Sequence, residues 1–322
     1  MTTQAVTPAV LVTGAAGFAG SHLLDRLCAG GRSVVAWHRL GRPAPGKGPA
    51  VVWDAVDVLD RDQVRAAVVR VKPSIVFHCA GTAHVGRSWD TIASTFATNV
   101  LGTHHLLEAV RLAGLESRVV IPSSAMVYAA SDHPMAEDHR LQPASPYGLS
   151  KLAQEMLGLR AFSDNRQRVM IARAFNHVGS RQHELFAAST FARQIARIEA
   201  GLAEPQLFVG NVDAQRDLTD VRDTVDAYQT IGERARPGSV YNVCSGVAVS
   251  LRTVLNRLVA NARVPVAVRI DPALFRPNDT RLIVGDNTRL RTELGWSPRY
   301  SLDETLRYLL DYWRGRTGAE QT

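Results

Sequence analysis

Three side chains whose types suit proton transfer to a carbonyl oxygen follow one another along the chain. Tyr147 and Lys151 lie four residues apart, so a helix would place both on one face, one turn apart. Ser124 comes earlier, after an apolar run that is typical of a strand. An ammonium lowers the pKa of a nearby phenol, and a serine can orient the oxygen that receives the proton. The set predicts reduction of a carbonyl beside a nicotinamide; the alternative is a helix face on which Tyr147 and Lys151 are only solvated.

A glycine-rich run at residues 13–20 has the spacing of a dinucleotide-binding turn. Gly14 permits the tight turn, Gly17 lets the backbone approach a pyrophosphate, and Gly20 lets the following helix pack on the strand. The N-terminus of that helix adds aligned N–H donors and partial positive charge. Because the run lies between an apolar strand and a helix, it predicts dinucleotide binding.

The residues after the second and third predicted strands bear on the type of cofactor. An NAD site carries an acidic residue after the second strand for the ribose 2′-hydroxyl. This chain has Arg39 there, with Arg42 nearby. A guanidinium pairs with a 2′-phosphate, so we expect NADPH, with NADP preferred over NAD. The alternative is a solvated surface arginine. Asp57 and Val58, after the third strand, are expected partners of the adenine amino group.

The composition of the chain excludes several classes of protein. The 322 residues are 46% hydrophobic and 21% charged, and no run approaches the roughly 18 apolar residues of a membrane span. We expect no secretory signal and no membrane partner. The net charge of +7 is not arranged in a stripe with aromatics, which favours a pocket for an anionic ligand over nucleic-acid binding. Three dispersed cysteines predict a reducing cytoplasm, without a disulfide framework or a metal site.

The elements that must position these residues alternate between strands and helices in the first half. Strands are predicted at residues 9–13, 33–37, 50–53, 74–78, 118–122 and 169–172. Helices are predicted at residues 20–29, 61–71, 89–112, with a possible break near Gly102, and 146–161, capped by Ser145. This alternation predicts an α/β fold with a Rossmann-type doubly wound parallel sheet, whose ligands bind at the carboxyl ends of the strands.

The pattern changes after about residue 175, where the elements become shorter and Pro and Gly more frequent. We expect residues 8–175 to form the NADP-binding Rossmann domain, with returning segments near 215–245. A strand at 241–244 is part of this expectation. Residues 176–314 would mainly form a smaller, interleaved C-terminal domain that binds the substrate.

Five motifs together resemble the extended short-chain dehydrogenases/reductases that modify nucleotide sugars. They are TGAAGFAG from Thr13, HCAG from His78, TNVLGT from Thr98, SSAMVY from Ser123 and SPYGLSK from Ser145. The resemblance implies Ser124, Tyr147 and Lys151 as the catalytic triad, with the last two also bordering the cofactor. It places Phe18 and Ala80 in the cofactor site with the three glycines, Arg39, Asp57 and Val58. It also implies a homodimer through the helices around 90–112 and 146–161, although the apolar residues there could equally pack on the sheet.

One departure from that family narrows the reaction. Its 4,6-dehydratases place an acidic pair after the catalytic Ser or Thr, whereas this chain has Ala125 and Met126. No carboxylate follows Ser124 to remove the C5 proton or to protonate a leaving hydroxyl. A dehydratase is therefore not expected, while hydride transfer at a carbonyl is.

Motifs in the second half resemble those members of the family that reduce GDP-linked sugars. The motifs that carry this resemblance are RAFNHVG from Arg173, FARQIARIEAG from Phe191, QRDLTDVRD from Gln215 and RPND from Arg276. It implies NADPH-dependent reduction of the C4 ketone of a GDP-linked 4-keto-6-deoxy sugar, a hexose or a heptose, in surface-polysaccharide precursor synthesis. The substrate-binding residues that it implies are Ser123, Ser124, Asn176, Arg193, Arg216, Arg276 and Asp279. For each arginine alone, a surface salt bridge is the alternative.

Two other functions stay open at this point. A nucleotide-sugar 4-epimerase would share the fold and the triad but keep a tightly bound NAD, and the missing acid after the second strand argues against it. A non-catalytic NADP-binding regulator would not need Tyr147 as a proton donor.

Overall fold

The computed structural model of the chain describes residues 9–41, 51–275 and 280–319. The predicted loop at 42–49, with Arg42, lies outside the described residues. So do Arg276 and Asp279, which were expected to bind substrate.

A seven-stranded sheet, in which all neighbouring strands are parallel, forms the centre of the molecule. Its strands are β1 (Val10–Thr13), β2 (Val34–His38), β3 (Val51–Ala55), β4 (Ile75–His78), β5 (Arg118–Ser124), β6 (Arg168–Ala174) and β10 (Val240–Val243). They lie in the order β10-β6-β5-β4-β1-β2-β3, so the winding reverses between β1 and β4. Ligands of such sheets bind at this switch point. The predicted Rossmann-type fold is confirmed, and β10 is the returning strand predicted at 241–244.

Helices cover both faces of this sheet. On one side lie α1 (Phe18–Ala29), α7 (Val221–Arg234) and α9 (Thr288–Leu294); on the other lie α2 (Arg61–Val71), α4 (Gly102–Leu112) and α5 (Pro146–Asn165). Because both faces are covered, the strands are apolar along nearly their whole length. The two cores are built from Leu, Val, Ile and aromatic side chains of the sheet and its helices.

Local sequence explains where several helices begin. Asp60 accepts hydrogen bonds from the backbone N–H groups of Asp62 and Gln63 and so caps α2. Ser145 caps α5 as predicted, accepting from the N–H of Gly148 at 3.1 Å, with Pro146 at the first helical position.

Several predicted elements have different limits in the structure. Helix α1 begins at Phe18, two residues earlier than predicted, and β5 continues through Ser124 because it pairs with β6 to its end. The stretch predicted as one helix at 89–112 is divided. A 3₁₀ turn (Gly86–Trp89) ends at its first residue, and the short helix α3 (Ile92–Phe96), a π-helical turn (Ala97–Leu101) and α4 follow. The π-helical turn lies directly before the predicted break at Gly102.

The other elements form a smaller unit with its own core. They are β7 (Asn176–Val178), α6 (Ala187–Glu199), β8 (Gln206–Val209), β9 (Gln215–Asp220), β11 (Ala248–Ser250), α8 (Leu251–Ala260), β12 (Ala267–Ile270), β13 (Leu282–Ile283) and α10 (Leu302–Ala319). Strand β9 pairs with β7, β11 and β13, while β8 pairs with β12. Helices α6, α8 and α10 pack together around residues such as Phe191, Leu255 and Leu309. None of the helices in the described ranges is long and apolar enough to cross a membrane.

Candidate active site

The three predicted catalytic side chains converge at the carboxyl edge of the main sheet. Ser124 is the last residue of β5, and Tyr147 and Lys151 lie in the first two turns of α5, which packs on β5 and β6. The Ser124 side chain lies close enough to the Tyr147 hydroxyl to oppose the rise in the pKa of that phenol. Ser124, Tyr147 and Lys151 are only 8%, 9% and 7% exposed, which excludes a merely solvated helix face.

Burial determines the protonation of Tyr147 and Lys151. Burial lowers the pKa of Lys151 to about 8, although the carboxylate of Glu155 favours the charged form. Burial also raises the pKa of Tyr147, against the opposing effect of the nearby Ser124 side chain. Near neutral pH the site therefore holds an ammonium one helical turn from a protonated phenol, as proton donation to a substrate oxygen requires.

Ser123 has a different environment from Ser124. Its hydroxyl donates to the carboxylate of Glu155, and the residue is buried. Glu155 also pairs with Arg173, whose Nη2 lies 2.9 Å from Glu155 Oε2. This buried ion pair joins α5 to β6 behind the site. A hydroxyl already held by a buried carboxylate favours a structural role for Ser123 over the predicted contact with substrate.

The glycine-rich run forms the turn between β1 and α1. Gly14 has φ +61°, and a Cβ there would lie 2.6 Å from the backbone N and Cα of Ala80. At Gly20 a Cβ would lie 2.3 Å from the Gly14 carbonyl oxygen. Gly20 was predicted to let the helix pack on the strand, and the structure shows that it also makes room for the backbone of the turn. Gly17 caps α1 without a side-chain hydrogen bond, which leaves N–H groups of the first helical turn available. This cradle fits a pyrophosphate.

The other predicted cofactor residues lie at the same edge of the sheet. Arg39 directly follows β2 and is exposed, and its guanidinium forms no ion pair with any described residue. Asp57 and Val58 form the turn after β3: the Asp57 carboxylate accepts the Leu59 N–H at 3.0 Å. Ala80, two residues beyond β4, donates its N–H to Thr13 Oγ1 at 3.1 Å. These positions suit contact with an extended dinucleotide.

Phe18 and His177 connect this turn to the smaller unit. The Phe18 ring, at the start of α1, stacks on His177 with centroids 5.4 Å apart. His177 donates from Nδ1 to the Phe175 carbonyl oxygen at 3.1 Å, and burial lowers its pKa. Asn176, the predicted substrate ligand beside it, begins β7 and is exposed just beyond the end of β6.

The predicted substrate arginines of the smaller unit already contact protein groups. Arg193 in α6 pairs through Nε with Glu184 Oε2 at 2.8 Å, and its guanidinium lies over the Trp313 ring at 5.8 Å. Arg216 in β9 donates to the carbonyl oxygens of Gln215 and Thr280 at 2.8 and 2.7 Å. Arg193 thus forms the surface salt bridge given above as the alternative, and Arg216 is held against the backbone at Thr280.

Sequence reasoning missed a set of buried polar residues around Lys151. Gln154, Thr103 and Asn99 are 0% exposed, and His78 is 1% exposed. Asn99 Oδ1 accepts the N–H of Thr82 at 2.9 Å, and its Nδ2 donates to Ser150 Oγ at 2.9 Å. His78 lies in the motif HCAG, and Asn99 and Thr103 lie in TNVLGT. These family motifs were a sequence signal for three of the four residues, while Gln154 had none.

No group of three or more His, Cys, Asp or Glu side chains in the described ranges could hold a metal ion. The three cysteines are free thiols, and burial raises the pKa of Cys79 to about 12.

Sequence comparisons give relatives with different activities. The profile of a family described as GDP-mannose 4,6 dehydratase matches residues 11–309. GDP-6-deoxy-D-mannose reductase of Pseudomonas aeruginosa is 34% identical, over 98% of this chain and 100% of its own length. UDP-glucose 4-epimerase of Mycolicibacterium smegmatis is also 34% identical, over 95% of this chain and 99% of its own.

Solved structures with the same fold differ in their nucleotide cofactor. RMD from Pseudomonas aeruginosa, complexed with NADPH, has a TM-score of 0.85 at 33% identity and covers 96% of this chain and 100% of its own. MoeE5, in complex with UDP-glucose and NAD, also has a TM-score of 0.85 at 33% identity, covering 96% and 99%. Overall similarity therefore does not distinguish NADPH from NAD or reduction from epimerisation. The choice between them has to rest on the side chains of the site.

Proposed function

The chain belongs to the GDP-mannose 4,6-dehydratase-like family of short-chain dehydrogenases/reductases, and from this we propose that it reduces the C4 ketone of a GDP-linked 4-keto-6-deoxy sugar with NADPH. The sugar is a hexose or a heptose, and the product serves surface-polysaccharide precursor synthesis. The observation that carries the proposal is the buried set of Ser124, Tyr147 and Lys151 at the carboxyl edge of the sheet, with no carboxylate directly following Ser124.

Each residue of the triad has one chemical task in this reaction. Ser124 donates a hydrogen bond to the ketone oxygen and orients it. Tyr147 donates the proton from its hydroxyl, and the ammonium of Lys151 stabilises the phenolate that remains. The nicotinamide, when bound, supplies the hydride. Ala125 and Met126 offer neither a base nor an acid, so the site supports net reduction and not elimination.

The exposed Arg39 supports NADPH over NADH. Its guanidinium, free of a carboxylate within the described ranges, suits the 2′-phosphate of the cofactor. We assign the pyrophosphate to the turn that contains Gly14, Gly17, Phe18 and Gly20. Asp57 and Val58 would contact the adenine. Ala80, Tyr147 and Lys151 would border the nicotinamide half.

The GDP group is assigned to the smaller unit. Residues 8–175, with returning segments near 215–245, would bind NADP, and residues 176–314 would mainly bind the nucleotide sugar. Asn176 lies close to the cofactor turn through its neighbour His177, which supports a contact with phosphate. Arg193 would have to exchange Glu184 for the diphosphate, while Arg216, Arg276 and Asp279 would bind the rest of the nucleotide.

We also assign a homodimer to the face formed by α4, α5 and the π-helical turn. Leu101, Leu149 and Met156 are 45%, 50% and 62% exposed there. Leu106 and Leu107 of the same region are instead buried against the sheet. An exposed apolar surface on neighbouring helices suits a second copy of the chain.

The decisive experiment measures NADPH consumption by the purified protein. GDP-4-keto-6-deoxy-mannose is made in place by a dehydratase, and NADH is run beside NADPH. We expect sugar-dependent loss of NADPH that is faster than the loss of NADH. The assay without sugar and the assay without protein are the controls.

Two other outcomes would contradict the proposal. No loss, together with NAD released on denaturation, would favour a nucleotide-sugar 4-epimerase, the second candidate supported by the relative from Mycolicibacterium smegmatis. Binding of NADPH without any sugar-dependent turnover would favour a non-catalytic NADP-binding regulator.

A further inference from the structure

A chain of buried hydrogen bonds leads from Lys151 to the end of β4. Gln154 connects Lys151 with Thr103: its Oε1 accepts from Lys151 Nζ, and its Nε2 donates to Thr103 Oγ1 at 2.7 Å. His78 Nε2 lies 2.9 Å from Thr103 Oγ1, and His78 Nδ1 lies 2.8 Å from Thr13 Oγ1. The catalytic lysine is thus joined to Thr13, the residue that precedes the glycine-rich turn.

The direction of each hydrogen bond between Gln154 and Thr13 can be assigned. The backbone carbonyl oxygen of Asn99 can only accept, so the Thr103 hydroxyl, 2.6 Å away, donates to it. Thr103 Oγ1 then accepts from Gln154 and from His78, which places the His78 proton on Nε2. His78 Nδ1 therefore accepts the hydroxyl proton of Thr13. Burial lowers the pKa of His78 to about 3, in agreement with this neutral form.

The same directionality fixes the Gln154 amide. Because its nitrogen donates to Thr103, its oxygen faces Lys151. Lys151 Nζ also donates to the Pro122 carbonyl oxygen at 2.6 Å. Among the described residues, the Pro122 carbonyl oxygen and Gln154 Oε1 are the two hydrogen-bond acceptors of the ammonium. Because the ammonium is tetrahedral, these two bonds fix the direction of its third N–H bond.

We propose that Gln154 is a positioning residue for Lys151, which keeps the buried ammonium protonated and directs its remaining N–H bond. The catalytic consequence rests on the proposed function, but the contact itself does not depend on the substrate. If Gln154 only filled space in the core, its replacement would not alter the proton affinity of the lysine.

Other titratable groups also face Lys151. Glu155 and Tyr147 belong to the same helix, and His78 and Cys79 lie at the end of β4. Glu155 is held by Arg173 and Ser123, so a substitution at position 154 leaves these contacts in place.

Two substitutions should move the pKa of Lys151 in opposite directions. Gln154→Leu keeps a similar volume but removes the acceptor, so the pKa should fall below its value of about 8 by about one unit. Gln154→Glu keeps an acceptor and adds negative charge, so the pKa should rise by about one unit. A loss of packing alone would not give opposite signs.

Lysine NMR reads this effect directly. The chain has three lysines, Lys47, Lys72 and Lys151, so selective ¹³Cε labelling gives three signals. The signal missing from Lys151→Arg identifies Lys151, and its pH titration is compared in the parent chain and both variants. Unchanged titration of Lys151 in both variants would overturn the proposal, whatever the enzyme activity.

Two further variants serve as a matched control and as a substitute for Gln154→Leu. Gln167→Leu is the matched control, because Gln167 is also buried and donates to the Leu107 carbonyl oxygen at 2.9 Å; it should leave Lys151 unchanged. If Gln154→Leu does not fold, Thr103→Val removes the acceptor that orients Gln154 and should lower the Lys151 pKa by a smaller amount.

Turnover gives a second, separate measurement. The high-pH limit of kcat should move down in Gln154→Leu and up in Gln154→Glu, with the Kd of NADPH unchanged. If the parent chain shows no turnover with the keto sugar, the proposed function fails, while the NMR titration still decides the role of Gln154.

Discussion

Burial of Lys151 makes the proposed reaction sensitive to pH. The ammonium must stay charged to stabilise the Tyr147 phenolate, and burial lowers the Lys151 pKa to about 8. The active form is therefore present below that value and is lost as the pH rises through it. Because Lys151 and Tyr147 lie in one site and influence each other, the apparent pKa of the pH profile describes the pair and not either residue alone. A profile of kcat against pH should fall above about pH 8; activity that persists into the ordinary range of lysine titration would contradict this account.

Tyr147 should be needed for turnover but not for cofactor binding. Tyr147→Phe keeps the buried ring and removes the proton donor, so we expect kcat to fall by about 10²–10⁴-fold. NADPH binding, followed by fluorescence titration, should stay close to that of the parent chain. Tyr312→Phe, in α10, removes a hydroxyl from the smaller unit and serves as the control. Full turnover in Tyr147→Phe would exclude this residue as the proton donor.

Arg39 should determine the preference for NADPH. A charged hydrogen bond contributes about 1.5–3 kcal/mol, so Arg39→Gln should raise the Kd of NADPH by about 10–150-fold. The Kd of NADH, which lacks the 2′-phosphate, should hardly change. Arg32→Gln is the control, because Arg32 Nη2 pairs with Glu233 Oε1 at 2.9 Å. Equal effects on both cofactors would mean that Arg39 does not contact the 2′-phosphate.

Among the elements, those with strong local signals could be predicted, and those that depend on distant partners could not. Helix α2 has its predicted limits because Asp60 and Pro73 mark its two ends. Strand β5 extends beyond its prediction because polar Ser123 and Ser124 are typical of a loop, and only pairing with β6 keeps them in the sheet.

The site follows the same rule. The spacing of Tyr147 and Lys151 on one helix, and the place of Ser124 after an apolar run, predicted that these side chains lie together. Gln154 carries no such signal, because a glutamine three residues beyond a lysine is ordinary on a helix surface. Its role depends on Thr103, 51 residues earlier in the chain, which only the fold brings within 2.7 Å.

The turn between β1 and α1 should tolerate no side chain at Gly20. A Cβ there would lie 2.3 Å from the Gly14 carbonyl oxygen, so Gly20→Ala must open the turn. We expect a loss of about 1–3 kcal/mol in the free energy of unfolding and weaker NADPH binding. Gly315→Ala, in α10 with open space around it, should instead stabilise by up to about 1 kcal/mol. Denaturant unfolding and NADPH titration check both; a Gly20→Ala protein as stable as its parent would contradict the expected clash.

The molecule as a whole is interleaved, so its two units are not independent. Strand β10 and helices α7 and α9 come from the second half of the chain but complete the core of the main sheet. His22 in α1 contacts the Ser180 carbonyl oxygen at 2.8 Å, which joins α1 to the segment before α6. We therefore expect cofactor and substrate binding to require the full chain, because neither half contains a complete core.

Association of two copies should depend on the apolar face of α4 and α5. Met156 is 62% exposed on α5, and a two-fold axis would bury it twice, so Met156→Glu would place two unpaired charges in one interface. Light scattering after gel filtration should give a dimer of 35.1 kDa chains for the parent and a monomer for the variant. Val52→Glu, with 63% exposure on the edge strand β3, should stay dimeric. A monomeric parent, or a dimeric Met156→Glu protein, would rule out this face as the dimer interface.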